Sequence, residues 1–333
     1  MVMPNGLMSG GAGITYDEYL PNNAAIGYSD YCTLTLSAAG ARFTRPLVDG
    51  QGFEYASPGA RVRLNSNAAS IRFHLQCTNL ITRLDTYNAN GIVLSNGVQV
   101  QTFTRAQGAA GQIEVDVTFA STTARLIELV MPYCASVDLL GVGLAQGATL
   151  TAPAARSATR YVAIGDSITH GFNASGVAQS WAYKLAVAKG WQLINHGYGG
   201  RQCDATDGTR LGNLTPTVAT YLIGYNNFYP QLPLASFKTE FKAFINNFRA
   251  INATAKLHCI TPTWTPNSFG ALTIEMYRQQ IRDGLTELAN PLNVLIEGPA
   301  LATNNVSSFP DNVHPNDTGG GEIATNLATL VTT

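Results

Sequence analysis

The sequence predicts two domains: an all-β, jelly-roll-like sandwich over residues 1–150, then a three-layer α/β domain with a parallel sheet over residues 151–333. Three observations carry that expectation. The chain has 333 residues, more than one ordinary core holds at about 100–200 residues per domain. Segments with period-two hydrophobicity are confined to the first half. Beyond them the pattern changes to alternating strands and helices.

In the first half, Arg61-Val-Arg-Leu-Asn, Ser70-Ile-Arg-Phe-His-Leu, Gln112-Ile-Glu-Val-Asp-Val-Thr-Phe and Ala124-Arg-Leu-Ile-Glu-Leu-Val alternate apolar and polar side chains. That alternation predicts strands buried on one face. Ser57-Pro58-Gly59, Asn88-Ala-Asn-Gly and Ser95-Asn-Gly read as turns between them, at the spacing of an antiparallel sandwich. The stretch from Gly147 to Ser157 is small, polar and Pro-containing, which suits a linker or an edge strand.

Past that stretch, Tyr161-Val-Ala-Ile reads as a strand. Val177, Trp181, Leu185 and Ala188 follow at helical spacing, closed by Gly190. Further strands are expected at Gln192-Leu-Ile, Val218 to Ile223, Lys256-Leu-His-Cys-Ile and Asn293-Val-Leu-Ile. Helices are expected to carry Phe237, Phe241, Phe244 and Phe248, then Tyr277, Ile281, Leu285 and Leu288. Near-continuous apolar strands alternating with helices imply a parallel sheet covered on both faces, whose ligands bind beyond the carboxyl ends of the strands.

Composition narrows the function. Charged residues make up 12%, with 20 Lys plus Arg against 21 Asp plus Glu, so no single-sign field exists to draw nucleic acid or an anionic membrane. A neutral or small polar substrate fits better. No run of about 18 apolar residues occurs, and the start Met1-Val2-Met3-Pro4-Asn5 lacks the features of a signal peptide. The expectation is a soluble chain. Abundant Asn, Thr, Ser and Gly with low charge match exported bacterial proteins whose signal has been trimmed, so the expected address is extracellular or periplasmic. Five dispersed cysteines show no Cys-x-x-Cys spacing, which argues against zinc or a dense disulfide framework. A pairing among Cys32, Cys77 and Cys134, all in one half of the chain, stays open.

Four loops after the predicted strands carry chemistry. In Gly165-Asp166-Ser167-Ile168-Thr169-His170-Gly171, a serine stands at a strand-to-helix junction, where its hydroxyl is exposed and anionic charge is favoured. The glycine spacing departs from the Gly-x-Ser-x-Gly elbow at Thr169, and Gly-Asp-Ser alone is as readily an N-cap. In Asn195-His196-Gly197-Tyr198-Gly199-Gly200-Arg201 the amides suit an oxyanion, since no phosphate-loop lysine or Gly-x-Gly-x-x-Gly is present. Gly224-Tyr225-Asn226-Asn227 offers a side-chain amide. In Pro310-Asp311-Asn312-Val313-His314-Pro315, an Asp three residues ahead of a His can hold its Nδ1–H and leave Nε2 to take the serine proton. The other histidines, His74, His170, His196 and His258, have no such carboxylate placement in the sequence.

With these blocks in this order, residues 159 to 333 resemble the SGNH, or GDSL-type, hydrolase superfamily, most specifically in Gly-Asp-Ser and Asp-x-x-His-Pro. The resemblance implies a flavodoxin-like α/β fold, Ser167 as nucleophile, His314 as general base and Asp311 as its orienting carboxylate. It implies an oxyanion hole from the Ser167 amide, the Gly200 amide and the Asn226 side chain. Gly200 is preferred to Gly197 and Gly199 because the polar pair Arg201-Gln202 follows it, as in the family's block. The third block departs from the usual Gly-x-Asn-Asp, with Asn227 in place of Asp, so altered support of that loop is expected.

A β-domain ahead of such a domain resembles the layout of family 2 carbohydrate esterases. It implies removal of O-acetyl groups from a glycan, with no metal or organic cofactor. Tyr198, Tyr225 and Trp264 are the candidate substrate-binding residues, with Phe228 and Tyr229 nearby, since aromatic faces stack on sugars and line acyl pockets. A short-chain carboxylesterase or lipase-like enzyme, an acyltransferase, and an inactive carbohydrate-binding protein remain alternatives.

Overall fold

The computed structural model describes residues 14–46, 55–80, 89–105, 110–133 and 135–333. The chain divides into two compact units between Arg156 and Ser157. The first is all β: β1 (Tyr16–Tyr19), β2 (Gly27–Ser29), β3 (Thr33–Ser37), β4 (Gly40–Thr44), β5 (Arg61–Ser66), β6 (Ser70–Leu80), β7 (Ala89–Ser95), β8 (Val98–Arg105), β9 (Gly111–Thr118), β10 (Arg125–Val130), β11 (Ala135–Ala145) and β12 (Leu150–Thr151). They form two antiparallel sheets. One runs β3-β4-β11-β6-β9 with β1 beside β11; the other runs β12-β5-β10-β7-β8 with β2 beside β5.

Period two explains β6 and β9. Ile71, Phe73, Leu75, Val115 and Val117 are buried while Glu114 and Asp116 face solvent, as alternation requires. It does not describe β5 and β10, whose polar face is buried as well. There Arg61 and Arg63 pair with Glu128 at 3.2 and 2.9 Å, and Asp30 forms an ion pair with Arg156 at 3.1 Å. Buried charges persist when paired, and these partners come from distant segments. The same network holds the connector to the first unit. Asn65 and Arg63 donate to the carbonyls of Ala152 and Ala154, so residues 152–156 stay with the sandwich.

Two local expectations change. Asn96 and Gly97 take positive φ (49° and 82°) in a tight hairpin between β7 and β8, as Asn-Gly predicts. Ala89, Asn90 and Gly91, expected to turn, lie in β7 opposite Arg105, Thr104 and Phe103, while Asn88 lies outside the described residues. The Phe103 ring occupies the space of a Cβ on Gly91, so that glycine serves packing rather than a turn. β11 escaped the alternation rule because it is buried along nearly its whole length.

The second unit contains the parallel sheet of β13 (Arg160–Gly165), β14 (Gln192–Gly197), β15 (Val218–Leu222), β16 (Lys256–Ile260) and β17 (Asn293–Ile296) in the order β14-β13-β15-β16-β17. This 2-1-3-4-5 order is the flavodoxin-like winding, with its switch point beside β13. Its helices are α1 (Ser167–His170), α2 (Trp181–Lys189), α3 (Ala205–Gly212), α4 (Tyr225–Phe228), α5 (Leu234–Ile251), α6 (Ile274–Leu288) and α7 (Asp317–Leu330). α2 packs on α7, and α5 packs on α3 and α6. Phe237, Phe241, Phe244 and Phe248 are buried on α5 as their spacing predicts. The α2 stripe is shifted: Trp181, Ala182, Leu185 and Ala186 are buried, Ala188 is exposed, and Val177 belongs to a separate short turn because Ser180 is extended.

Among the described residues no helix is long and apolar enough to cross a membrane. Cys77, Cys203 and Cys259 are buried, and Cys134 lies outside the described residues. His74, for which the sequence offered no carboxylate, lies 3.0 Å from Glu18 and 3.5 Å from Glu114, brought there by β1 and β9. Their hydrogen bond and charge raise its pKa.

Candidate active site

The chain leaves β13 at Gly165 and turns directly into α1, with Asp166 at the N-cap accepting from the Ile168 amide at 2.9 Å. Ser167 is the first helical residue. One turn later Gly171, at φ 113°, ends the helix in a conformation that a Cβ disfavours. α1 sits hard against the end of β14: a Cβ on Gly197 would stand 2.3 Å from the His170 amide nitrogen.

The loop before α7 brings His314 to Ser167. Asp311 Oδ1 accepts from the amides of Val313 and His314 at 3.0 and 2.7 Å, a local turn with Asn312 at φ 67°. The other carboxylate oxygen lies 2.6 Å from His314 Nδ1, and Nε2 lies 2.7 Å from Ser167 Oγ. A carboxylate only accepts, so Nδ1 carries the proton and Nε2 accepts from the serine hydroxyl. Burial pushes the Asp311 carboxyl up, but hydrogen bonds from the His314 ring and the two amides outweigh it, and its pKa falls to about 2.

Asn226, in the first turn of α4, directs Nδ2 to Asp166 Oδ2 at 3.4 Å. Asp166 is fully buried; burial lifts its pKa to about 6 against the amide bond from Ile168 and the charge of His314. Asn227, which stands where the GDSL-type pattern has Asp, is buried and accepts from the Cys203 amide at 3.0 Å. The third block therefore supports the segment that follows the glycine-rich loop. Gly200 forms the exposed corner of that loop, at φ 78°.

The three candidate aromatic residues pack on different elements. The Tyr225 hydroxyl accepts from Asn267 at 3.0 Å. Its pKa is raised by burial and, against the Asn267 bond, by the charges of Asp311 and Asp166. Tyr198 lies over the Arg201 guanidinium, 4.2 Å from ring centroid to Cζ. Trp264 meets Phe309 at 5.7 Å. Phe172 has no motif to reveal it, yet it stacks on the His314 imidazole at 5.2 Å and 25°. Its position directly after Gly171 was the available signal. Among the described residues no group of three or more His, Cys, Asp or Glu is arranged to hold a metal ion.

Ser167, His314 and Asp311, in hydrogen-bonded series, all lie within the stretch that a family model matches. Residues 163–320 match the model of the GDSL-like lipase/acylhydrolase family. They form a GDSL-like acylhydrolase domain. No curated protein sequence matches the chain significantly. Solved structures similar to it include a salicylyl-acyltransferase from a tetracycline biosynthetic pathway, with 18% identity, a TM-score of 0.81 and coverage of 95% of this chain and 97% of that one. A family two carbohydrate esterase from Cellvibrio japonicus gives 14%, 0.72, and 95% and 97%. An acetyl xylan esterase from the rumen bacterium Butyrivibrio proteoclasticus gives 12%, 0.62, and 91% and 98%. At such identities the likeness is one of fold. It spans the β unit and the GDSL-like domain together.

Proposed function

We propose that the protein is a serine esterase that removes small acyl groups, O-acetyl above all, from a carbohydrate. The observation that carries this reading is the hydrogen-bonded series Ser167 Oγ, His314 Nε2, His314 Nδ1, Asp311 at 2.7 and 2.6 Å. In the first step His314 takes the Ser167 proton as Oγ attacks the ester carbonyl, and the tetrahedral oxyanion is held by the Ser167 and Gly200 amides and Asn226 Nδ2. Collapse expels the alcohol, which receives the proton from His314, and leaves an acyl-serine. Water, deprotonated by the same imidazole, then releases the acid and restores the serine. Asp311 stays ionised and stabilises the imidazolium.

Three features support the acetyl-glycan substrate. Structures aligned over both units include family two carbohydrate esterases, one of them in complex with cellohexaose. Tyr198 and Trp264 on loops and Tyr225 at the start of α4 follow strand ends and offer rings for a sugar face. The chain's low charge suits a neutral polymer, and its composition an exported address. The test is release of acetate from acetylated xylan and from a chromogenic ester series of increasing acyl length. Activity confined to the shortest esters and lost by about 10⁴-fold or more in Ser167→Ala is the expected result; activity unchanged in Ser167→Ala would sink the assignment.

The likeness to the salicylyl-acyltransferase, which has the higher TM-score of these structures, favours acyl transfer to an acceptor other than water as the second reading. Adding a sugar acceptor to the same assay separates the two. Transfer predicts a new ester at the expense of free acid; hydrolysis predicts no change in acid yield.

A further inference from the structure

Directly behind the proposed oxyanion corner lies a cation that the mechanism does not use. Arg201 follows Gly200, and its side chain is 1% exposed. Its Nη1 donates to the carbonyl of Gly165 at 3.2 Å and to that of His196 at 2.5 Å, its Nη2 to His196 Nδ1 at 3.0 Å, and its Nε to Asp207 at 3.0 Å. These acceptors belong to the end of β13, the end of β14 and α3. Its Cζ lies over the Tyr198 ring.

The backbone of the loop adds to this arrangement. The Tyr198 amide donates to the Gly165 carbonyl at 3.2 Å, and the Arg201 amide to that of Tyr198 at 3.4 Å. Residues 198–201 thus leave the strand, turn through Gly200, and are tied back by the arginine side chain to the peptide two residues before Ser167.

We propose that Arg201 is a positioning residue that sets the separation of the Gly200 and Ser167 amides, and so the geometry of the oxyanion hole. A guanidinium is the one side chain whose rigid fork reaches carbonyls on two strands and a carboxylate on a helix at once. Lysine would retain the charge but concentrate its donors at one atom. Because oxyanion donors act on the tetrahedral state, the effect falls on kcat rather than on KM.

This inference rests on the esterase reading, and its test is built to separate the two. Wild type, Ser167→Ala and Arg201→Lys are compared with a chromogenic acetate ester, with kcat of wild type and Arg201→Lys expressed per active site titrated by a fluorophosphonate and the rate of Ser167→Ala per mole of protein. Affinity for a small alkylboronic acid, whose tetrahedral adduct imitates the intermediate, is measured alongside thermal unfolding. In a cooperatively folding Arg201→Lys, kcat per site falls about 10- to 10²-fold, boronate affinity falls in parallel, and KM stays within about threefold of wild type. Unchanged kcat per site and boronate affinity in folded Arg201→Lys would overturn the inference while wild type remains active and Ser167→Ala dead. Activity surviving in Ser167→Ala would instead remove the esterase reading itself.

If Arg201→Lys does not fold, Asp207→Asn loosens the same guanidinium from α3. It is expected to lower kcat per site about 3- to 10-fold with KM little changed. No change in either constant would reject the role.

Discussion

Two carboxylates flank Ser167, and their surroundings drive them in opposite directions. Asp166, at the strand-to-helix junction, is fully buried and its pKa rises to about 6. Asp311, in the loop before α7, is part-exposed, hydrogen-bonded on both oxygens, and falls to about 2. At Asp166 burial outweighs the amide bond from Ile168 and the charges of His314 and Arg201 and favours the neutral acid; at Asp311 an imidazole and two amides favour the anion. The difference suits the two to different work under the proposed mechanism: Asp311 as the permanent anion beside the imidazole, Asp166 as a cap that also orients the Asn226 amide.

The largest test of that division is Asp311→Asn. It keeps the shape and removes the charge, and kcat should fall on the order of 10⁴-fold as in other triads. The variant should be folded by circular dichroism; a loss of less than tenfold would remove Asp311 from the chemistry.

On the other side, Asn226→Ala removes the amide that Asp166 holds. A loss of about 10² to 10³ in kcat is expected, measured on the acetate ester with folding checked by melting. Retained turnover would leave the contact with Asp166 purely structural.

The two carboxylates also predict stability profiles of opposite sign. Asp166, with a raised folded pKa, contributes stability that is fully present below about pH 4 and drains as pH rises through about 6, about 3 kcal/mol in all. Asp311, with a depressed folded pKa, contributes stability that is present above about pH 4 and is lost as pH falls through about 2. Denaturant unfolding of wild type and Asp166→Asn from pH 4 to 7 should show the variant gaining on wild type as pH rises. A constant difference across that range would mean Asp166 ionises without penalty.

The smallest effect expected is from Phe172→Ala. Losing the ring stacked on His314 should lower kcat about two- to tenfold, the worth of one aromatic contact. An effect beyond 10²-fold, or none, would move Phe172 out of this supporting role.

Residues whose partners are close in sequence were legible without a structure. Ser167 follows a strand and opens a helix; Asp311 reaches His314 across three residues through an Asx turn. The strands of the parallel sheet and the phenylalanine face of α5 were legible as well, because burial imposes its period on neighbouring residues. Only the tertiary structure decided the rest. The buried face of β5 and β10 reads as a solvent face until Asp30 and Arg156 supply charges from afar. Gly91 reads as a turn until the Phe103 ring occupies its missing side chain. Arg201 reads as a polar residue after a glycine until three elements converge on its guanidinium. Periodicity reports the burial of a residue relative to its chain neighbours; it carries no record of a distant partner that turns a charge or a glycine into part of the interior.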